Sequence, residues 1–204
     1  MVIRETVVVR RGSKHAGSRV ARPVRTVTGA ALQAFGPASA QDFARFTLLR
    51  RLVVAQVLKA LGDEVEQLKG PGGATLFDVP AAPLPHEDTV APPRLLPMWD
   101  SILLAYADRG RVVPPEYRTM IFRRNGDVLP TLLVDGYVAG VWRPVGDGIE
   151  ATAFHDLDDA TWDGLTAEAK ALLSLLADRE PTVYRRYDRW WADLPSAEVR
   201  VLAE

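Results

Sequence analysis

The chain has 204 residues, of which 48% are hydrophobic and 25% are charged, which is ordinary for a globular protein of one large or two small domains. It has no cysteine, so disulfides and thiolate metal sites are excluded. Its longest apolar runs are too short to cross a membrane, and its charged start has no signal-peptide core. We therefore expect a cytoplasmic protein without a membrane partner.

The basic residues are concentrated at the start of the chain. Residues 1–25 hold seven Lys or Arg side chains and one Glu, which leaves 18 of the 25 basic and 25 of the 26 acidic residues in the remainder. A basic arm on an acidic body fits a nucleic-acid partner. A disordered, soluble N-terminus is the alternative, because this arm lacks interleaved aromatic residues. We predict a basic, disordered arm over residues 1–26.

Three helices and a hairpin are predicted over residues 27–80. Thr28 can cap the helix "GAALQAF", which ends at Gly36-Pro37. Ser39 and Asp42 have capping-box spacing at the start of a second helix, "SAQDFARF". A third helix over 47–61 is predicted from apolar residues at helical spacing: Leu49, Leu52, Val53, Val57, Leu58 and Leu61. The segments "EVEQLKG" and "ATLFDVP" then predict two strands around a Gly-Pro-Gly-Gly turn.

This order of elements is typical of a winged helix-turn-helix, in which the third helix enters the major groove and the wing lies along the backbone. The expected DNA-contacting elements are the helix over 47–61 and the wing over 64–79. Cations bind phosphates, and Gln or Arg can read base edges. The predicted contacts are Arg45, Arg50, Arg51, Gln56, Lys59 and Lys69. A purely structural or protein-binding role stays open, because Asp63, Glu64 and Glu66 offset part of this charge.

A proline-rich segment over 81–97 follows, and it predicts a linker or an extended strap because prolines exclude a long helix and a central strand. It contains His86-Glu87-Asp88, whose side chains suit metals. Adjacent residues rarely converge on one ion, so no metal and no cofactor is expected. Further along, Arg123 and Arg124 precede Asn125-Gly126 and are candidate phosphate contacts, unless they pair with nearby acidic residues.

The stretch "LPTLLVDGYVAGVWRP" predicts a β-hairpin with a type I′ turn at Asp135-Gly136. The expected pairs include Leu132 with Ala139 and Leu133 with Val138. Both faces of this hairpin are apolar, so we assign it to the interior of a sheet rather than to a DNA-contacting wing. A third strand from Ile149 to Phe154 completes a β-rich, barrel-like domain over 98–157.

The last part of the chain, 158–204, is predicted to form helices that pack on this domain. One carries an apolar stripe through Leu165 and Ala169 and is capped by Thr166 or Asp158. A final helix carries Val183, Tyr184, Tyr187, Trp190, Trp191 and Leu194, an aromatic stripe of the kind that usually lies in a core. The fold class is therefore α+β: a winged helix-turn-helix followed by a small β-sheet or barrel-like domain with C-terminal helices.

Several segments in this order resemble actinobacterial winged helix DNA-binding domain proteins, a family related to the AlkZ-like DNA glycosylases, which unhook alkylated and crosslinked bases. They are "AFGPASAQDFARF", "ALGDEVEQL", "LFDVP", "PPRLLPMWDSILLAYADRGRVVPPEYR" and "RNGDVLPTLLVDGYVAGVWR". The resemblance covers residues 27–178 and implies tandem winged helices followed by a barrel-like part. It implies that this chain corresponds to a C-terminal portion of such a protein.

The resemblance also implies a catalytic Gln-apolar-Gln or Gln-apolar-Asp motif in the glycosylases, which positions water on an extruded nucleotide. None of the four glutamines here fits it: Gln33, Gln41, Gln56 and Gln67. We therefore expect no catalytic residue and a non-catalytic DNA-binding protein. The alternatives are a remnant or subunit of a DNA glycosylase acting on alkylated or crosslinked DNA, and a protein-interaction module. The sequence leaves the oligomeric state open.

Overall fold

The structure is a computed structural model that describes residues 21–83, 85–86, 88–178, 190–191 and 193–203, with side chains from residue 27 onward. It is a mixed α/β fold with antiparallel sheets and two compact units. The first unit comprises Met1–Thr89 and Leu104–Asp108, and the second comprises Val90–Leu103 and Arg109–Glu204. The predicted basic arm lies outside the described residues as far as residue 20.

Helix α1 spans Ala21–Phe35 and begins well before the predicted start. Thr28 is therefore an interior helical residue, only 5% exposed, and the prediction that it caps the helix is wrong. The arm predicted over 1–26 overlaps the first turns of this helix. Pro23 is compatible with that position because a proline in the first helical turn interrupts no hydrogen bond. The helix ends directly before Gly36-Pro37, as the stop signal predicts.

Helix α2 spans Ala40–Thr47 and begins with the predicted capping box. The Asp42 backbone N–H donates to the Ser39 hydroxyl at 3.2 Å, and the Ser39 backbone N–H donates to the Asp42 carboxylate at 2.7 Å. The other Asp42 oxygen accepts a 2.7 Å hydrogen bond from the backbone of Ala107. One carboxylate therefore caps α2 and ties Leu104–Asp108 to the first unit.

Helix α3 spans Arg51–Leu61, so the predicted helix over 47–61 begins too early. Residue 47 ends α2, and Leu48 leaves that helix in the left-handed region with φ of 57°. The buried stripe of α3 follows i, i+3, i+4, i+7 spacing: Val54, Val57, Leu58 and Leu61. Leu52 does not share this stripe and is 78% exposed, which corrects its assignment to the buried face.

A hairpin follows the helices in the first unit, as predicted. Strands β1 (Glu66–Lys69) and β2 (Thr75–Asp78) pair in antiparallel register, and Leu68 lies opposite Leu76 with both side chains buried. A β-bridge between Ala38 and Phe77 connects the hairpin to the loop before α2. Phe77 also packs against the core shared by the three helices. The hairpin is thus anchored to the helices at its β2 side.

The second unit contains a five-stranded antiparallel sheet in the order β3-β4-β5-β6-β7. Its strands are β3 (Arg94–Leu96), β4 (Thr131–Val134), β5 (Tyr137–Val145), β6 (Gly148–Ala153) and β7 (Glu198–Leu202). The proline-rich strap thus supplies an edge strand, where a missing N–H is tolerated. Strand β7 lies in a region predicted to contain only helices. Because β3 and β7 lie at opposite ends of the order, the sheet is open rather than barrel-closed among the described residues.

The β4–β5 hairpin has the predicted turn, with positive φ at both Asp135 and Gly136. Leu133 pairs with Val138 as predicted, but a β-bulge at Leu132/Leu133 shifts the register beyond it. Leu132 therefore lies opposite Gly140 rather than Ala139. In this register Leu132 and Trp142 lie in the same core cluster.

Three helices accompany the sheet: α4 (Ser101–Leu104), α5 (Arg118–Ile121) and α6 (Asp159–Leu176). Of the two predicted caps of α6, Asp158 is the one observed, and it accepts a 2.7 Å hydrogen bond from the Thr161 backbone. Hydrogen bonding from Thr161 holds the pKa of this carboxyl below its ordinary value. Helix α6 covers one face of the sheet with Trp162, Leu165 and Ala169.

The predicted final aromatic helix lies largely outside the described residues, since 179–189 and 192 are not described. Trp191 is described and is 8% exposed, in keeping with the core position predicted for it.

Candidate nucleic-acid interface

The face of α3 that points away from the core carries polar side chains. Gln56 and Lys59 are both exposed and lie three residues apart, so they are neighbours on one side of the helix. The buried stripe begun by Val54 occupies the opposite side. A helix of 11 residues is about 16 Å long, which is sufficient to lie across a DNA groove.

Three arginines lie beside the N-terminal end of this face. Arg45 is in the last turn of α2, Arg50 is the N-cap residue of α3, and Arg51 is its first helical residue. All three are exposed. No ion pair or hydrogen bond engages these side chains within the part of the chain that the structure describes. Their guanidinium groups are therefore available to phosphates.

The hairpin contributes less cationic charge than the helices. Lys69 is exposed at the end of β1, directly before the Gly70–Gly73 turn. Asp63 and Glu64, both exposed, lie in the short connection between α3 and β1. Among the described side chains over residues 27–80, the cations thus lie mainly at the α2–α3 connection and on the exposed face of α3, and the acidic residues follow the end of α3.

Arg123 and Arg124 belong to the second unit and differ in their surroundings. Arg123 is half-buried, and its guanidinium donates a 2.8 Å hydrogen bond to the carbonyl of Trp190. Burial lowers its pKa from the ordinary value, and the charge of Asp193 partly offsets this effect. Arg124 is exposed, in a turn closed by a hydrogen bond from Gly126 to Arg123. Arg123 therefore holds the C-terminal segment in place, and Arg124 is the one of the two that points to solvent.

The sequence did not predict that two leucines in this region would be exposed. Leu48 is 89% exposed and Leu52 is 78% exposed, and both lie within the run that holds Arg50 and Arg51. The exposure of Leu52 could have been predicted from spacing, because the buried i, i+3, i+4, i+7 pattern that begins at Val54 does not include Leu52. No sequence signal marks the left-handed backbone of Leu48.

The structure offers no alternative metal site or membrane segment in the residues it describes. Within them, no group of three His, Asp or Glu side chains could hold a metal ion. His86 contacts Asp88 at 3.2 Å, and both side chains are largely exposed. None of the described helices combines the length and apolar character needed for a membrane crossing.

Comparison with known proteins identifies relatives that act on DNA. The family model described as DNA glycosylase AlkZ-like matches residues 5–175. The interstrand DNA cross-link repair glycosylase of Streptomyces sahachiroi is 31% identical over 138 residues, which are 65% of this chain and 37% of that protein. The solved structure of the Streptomyces sahachiroi DNA glycosylase AlkZ has a TM-score of 0.63 and 27% identity, over 76% of this chain and 43% of its own.

The chain thus spans about two fifths of the length of these relatives. The match to the family model nevertheless extends over most of its 204 residues. The chain belongs to the AlkZ-like DNA glycosylase family.

Proposed function

We propose that this chain is the DNA-binding part of a DNA glycosylase that acts on alkylated or crosslinked duplex DNA. In this proposal α1, α2, α3 and the β1–β2 hairpin form a winged helix. Helix α3 enters the major groove, and the hairpin lies along the neighbouring backbone. The observation that carries the proposal is the exposed face of α3, where Gln56 and Lys59 lie opposite the core and beside a group of exposed arginines.

Each part of this surface has a role in the proposal. Arg45, Arg50 and Arg51 bind phosphates of one strand, because phosphate contacts supply most of the affinity of a protein for DNA. Lys59 extends this contact along α3, and Lys69 on the hairpin adds a further phosphate contact. Arg124 lies in the second unit and is proposed as a separate phosphate contact. Gln56 is the side chain suited to read a base edge.

Family membership favours a glycosylase role over the free-standing, non-catalytic DNA-binding protein that the sequence analysis put first. The relative matched over 138 residues is named as a cross-link repair glycosylase. None of the four glutamines of this chain has the expected catalytic context, so we expect the chain alone to bind damaged DNA without releasing a base. Cytoplasmic location belongs to the same proposal.

The domain division remains part of the proposal: a winged helix over 27–80, a strap over 81–97, a β-rich domain over 98–157 and a C-terminal region over 158–204. Strands β3 and β7 tie the strap and the C-terminal region to the sheet of the β-rich domain. Substitutions in the proposed DNA-binding surface of the first unit therefore change no residue of this sheet.

Fluorescence anisotropy with a labelled 20-base-pair duplex tests the DNA-binding surface. The triple variant Arg50→Ala, Arg51→Ala, Lys59→Ala removes three exposed cations. We expect it to bind about 10- to 100-fold more weakly at 50 mM salt, because three phosphate contacts are lost. The matched control is the triple variant Arg94→Ala, Arg118→Ala, Lys170→Ala. It removes the same charge from exposed positions in the second unit and should bind DNA as the wild type does.

Equal weakening by both triple variants would mean that net charge alone drives binding and would contradict the assigned surface. Absence of binding by the wild type at 50 mM salt would overturn DNA binding itself and favour a protein-interaction module.

A base-release assay tests the second part of the proposal. The chain is incubated with duplex DNA carrying alkylated guanine, and abasic sites are then cleaved with alkali and counted. Tight binding without strand cleavage is the expected result. Base release by this chain alone would show that it contains a complete catalytic site.

A further inference from the structure

The exposed face of α3 has an apolar residue at its N-terminal end. Leu52, Gln56 and Lys59 follow i, i+4, i+7 spacing and therefore form one stripe along the helix. Leu52, at the N-terminal end of this stripe, is 78% exposed. Leu48, four residues earlier, is 89% exposed at the C-cap of α2.

The fold of the first unit does not explain these two leucines. Single exposed leucines are common on protein surfaces and need no explanation. Here two of them lie within five residues, and Leu48 has a φ of 57°, a region that a branched side chain rarely adopts. Neither belongs to the core cluster formed by Val54, Val57 and the other buried residues of the helices. Their exposed side chains gain nothing from the folding of this unit.

The neighbours of the leucines identify the kind of partner. Arg50 and Arg51 lie between the two leucines in the chain, together with Leu49, which packs on the core. Arg45 precedes them in α2, and Lys59 shares the stripe of Leu52. Apolar side chains surrounded by cations complement a surface that has an apolar group between phosphates. In unmodified DNA the 5-methyl group of thymine is the one methyl group in the major groove, among the hydrogen-bond donors and acceptors of the base edges.

We propose that Leu48 and Leu52 contact thymine 5-methyl groups in the major groove, so that the first unit binds A·T-containing sequence in preference to DNA without these methyl groups. Gln56 lies one helical turn beyond Leu52, about 6 Å along the axis, which is close to two base-pair steps. Its amide is suited to the paired donor and acceptor of adenine. This inference rests on the proposed DNA binding and adds to it the base-pair chemistry that α3 recognises.

Replacing thymine by uracil tests the inference, because uracil pairs identically and lacks only the 5-methyl group. Two 20-base-pair duplexes of alternating A·T or A·U pairs are compared by anisotropy at one salt concentration. For the wild type we expect about three- to fourfold weaker binding to the uracil duplex per contacted methyl group. For Leu48→Ala, Leu52→Ala we expect equal binding to both duplexes.

Leu175→Ala provides the matched control, since it removes an exposed leucine, 72% exposed, from the second unit. This variant should keep the wild-type preference for thymine. A second pair of duplexes consists of alternating G·C pairs, and in one of them every cytosine carries a 5-methyl group. This duplex places the same methyl group in the major groove without thymine. The wild type should bind the methylated duplex more tightly.

The outcomes separate this inference from the proposed function. If the wild type binds both duplexes equally and the Arg50, Arg51, Lys59 triple variant still binds weakly, the methyl contact is wrong and DNA binding stands. If the wild type binds neither duplex, both proposals fail. If the leucine double variant converts a dimer to a monomer in size-exclusion chromatography with the thymine preference unchanged, a second copy of the chain covers the leucines and the inference is overturned.

Discussion

At the residue scale, Asp42 is a buried charged side chain that contacts two separate segments of the chain. It is 6% exposed and accepts hydrogen bonds from the Ser39 backbone, the Ser39 hydroxyl and the Ala107 backbone. The Ser39 bonds were predictable from local spacing. The Ala107 bond was not, because it joins residues 65 positions apart in the chain. Local sequence rules therefore predict that Asp42 caps α2, but they do not predict its hydrogen bond to the distant segment that contains Ala107.

Asp42→Asn tests that second role. Asparagine has one acceptor oxygen instead of two, so at least one of the backbone donors loses its partner in a buried position. We expect the free energy of unfolding to fall by about 2–3 kcal/mol, since hydrogen bonds to charged groups are of this strength. Urea unfolding followed by far-UV circular dichroism measures the change, because α1, α2 and α3 give a strong helical signal in the first unit.

Asp63→Asn is the control for this substitution, since Asp63 is exposed and removing its charge should change stability by less than about 0.5 kcal/mol. An Asp42→Asn midpoint equal to that of Asp63→Asn would show that the buried carboxylate contributes nothing beyond its charge.

At the element scale, the sequence predicted the type of each long element and misplaced several of their ends. The apolar spacing from Val54 to Leu61 defines α3, but leucines ahead of it extended the predicted helix by several residues. The pairing of Leu133 with Val138 was predictable from the Asp-Gly turn. The bulge beside it was not, because no local sequence signal marks Ala139 as the residue that the β4–β5 register skips.

Gly140, which lies opposite Leu132 in this register, occupies a close approach between β5 and β6. A Cβ on this residue would lie far inside contact distance of the Thr152 backbone oxygen on β6, and close to the Leu132 side chain on β4. Gly140→Ala should therefore force β5 and β6 apart and lower stability by about 1–3 kcal/mol. All five tryptophans lie in the second unit, so urea unfolding followed by tryptophan fluorescence reports on this change.

Gly29→Ala is the matched substitution in a helix. Nothing lies within 4 Å of a Cβ placed on Gly29, which is inside α1. Alanine should stabilise the helix by about 0.5–1 kcal/mol, because glycine is the poorer helix former. If both glycine substitutions raised stability, the close approach of β5 and β6 at Gly140 would not be what requires glycine there.

At the scale of the whole molecule, the sequence predicted the β4–β5 hairpin and the β6 strand but not the edge strands that complete the sheet of the second unit. Strand β7 pairs with β6 across an intervening α6, and β3 comes from the proline-rich segment. Both are short edge strands, whose pairing is determined by tertiary contacts rather than by a local pattern. The candidate cations of α2 and α3 were predictable because they are exposed charges on regular helices, whereas the surface position of Leu48 depends on its backbone conformation.

Net charge also belongs to this scale, and it leads to the last prediction. The chain carries a formal charge of -1, so its overall charge does not attract DNA. DNA binding therefore requires local groups of cations, and the salt dependence counts the phosphate contacts that these cations make. If Arg45, Arg50, Arg51, Lys59 and Lys69 all contact phosphates, the logarithm of the association constant should fall with the logarithm of salt concentration with a slope of about -4 to -5.

The Arg50→Ala, Arg51→Ala, Lys59→Ala variant should have a slope less steep by about 2–3, because three counterion-releasing contacts are gone. Leu48→Ala, Leu52→Ala should keep the wild-type slope while binding more weakly, since contacts to methyl groups release no counterions. Anisotropy titrations from 25 to 200 mM potassium chloride measure all three slopes. Because the slope depends on contacts rather than on overall affinity, an unchanged slope in the triple variant would place the phosphate contacts on another surface, even if its affinity were reduced.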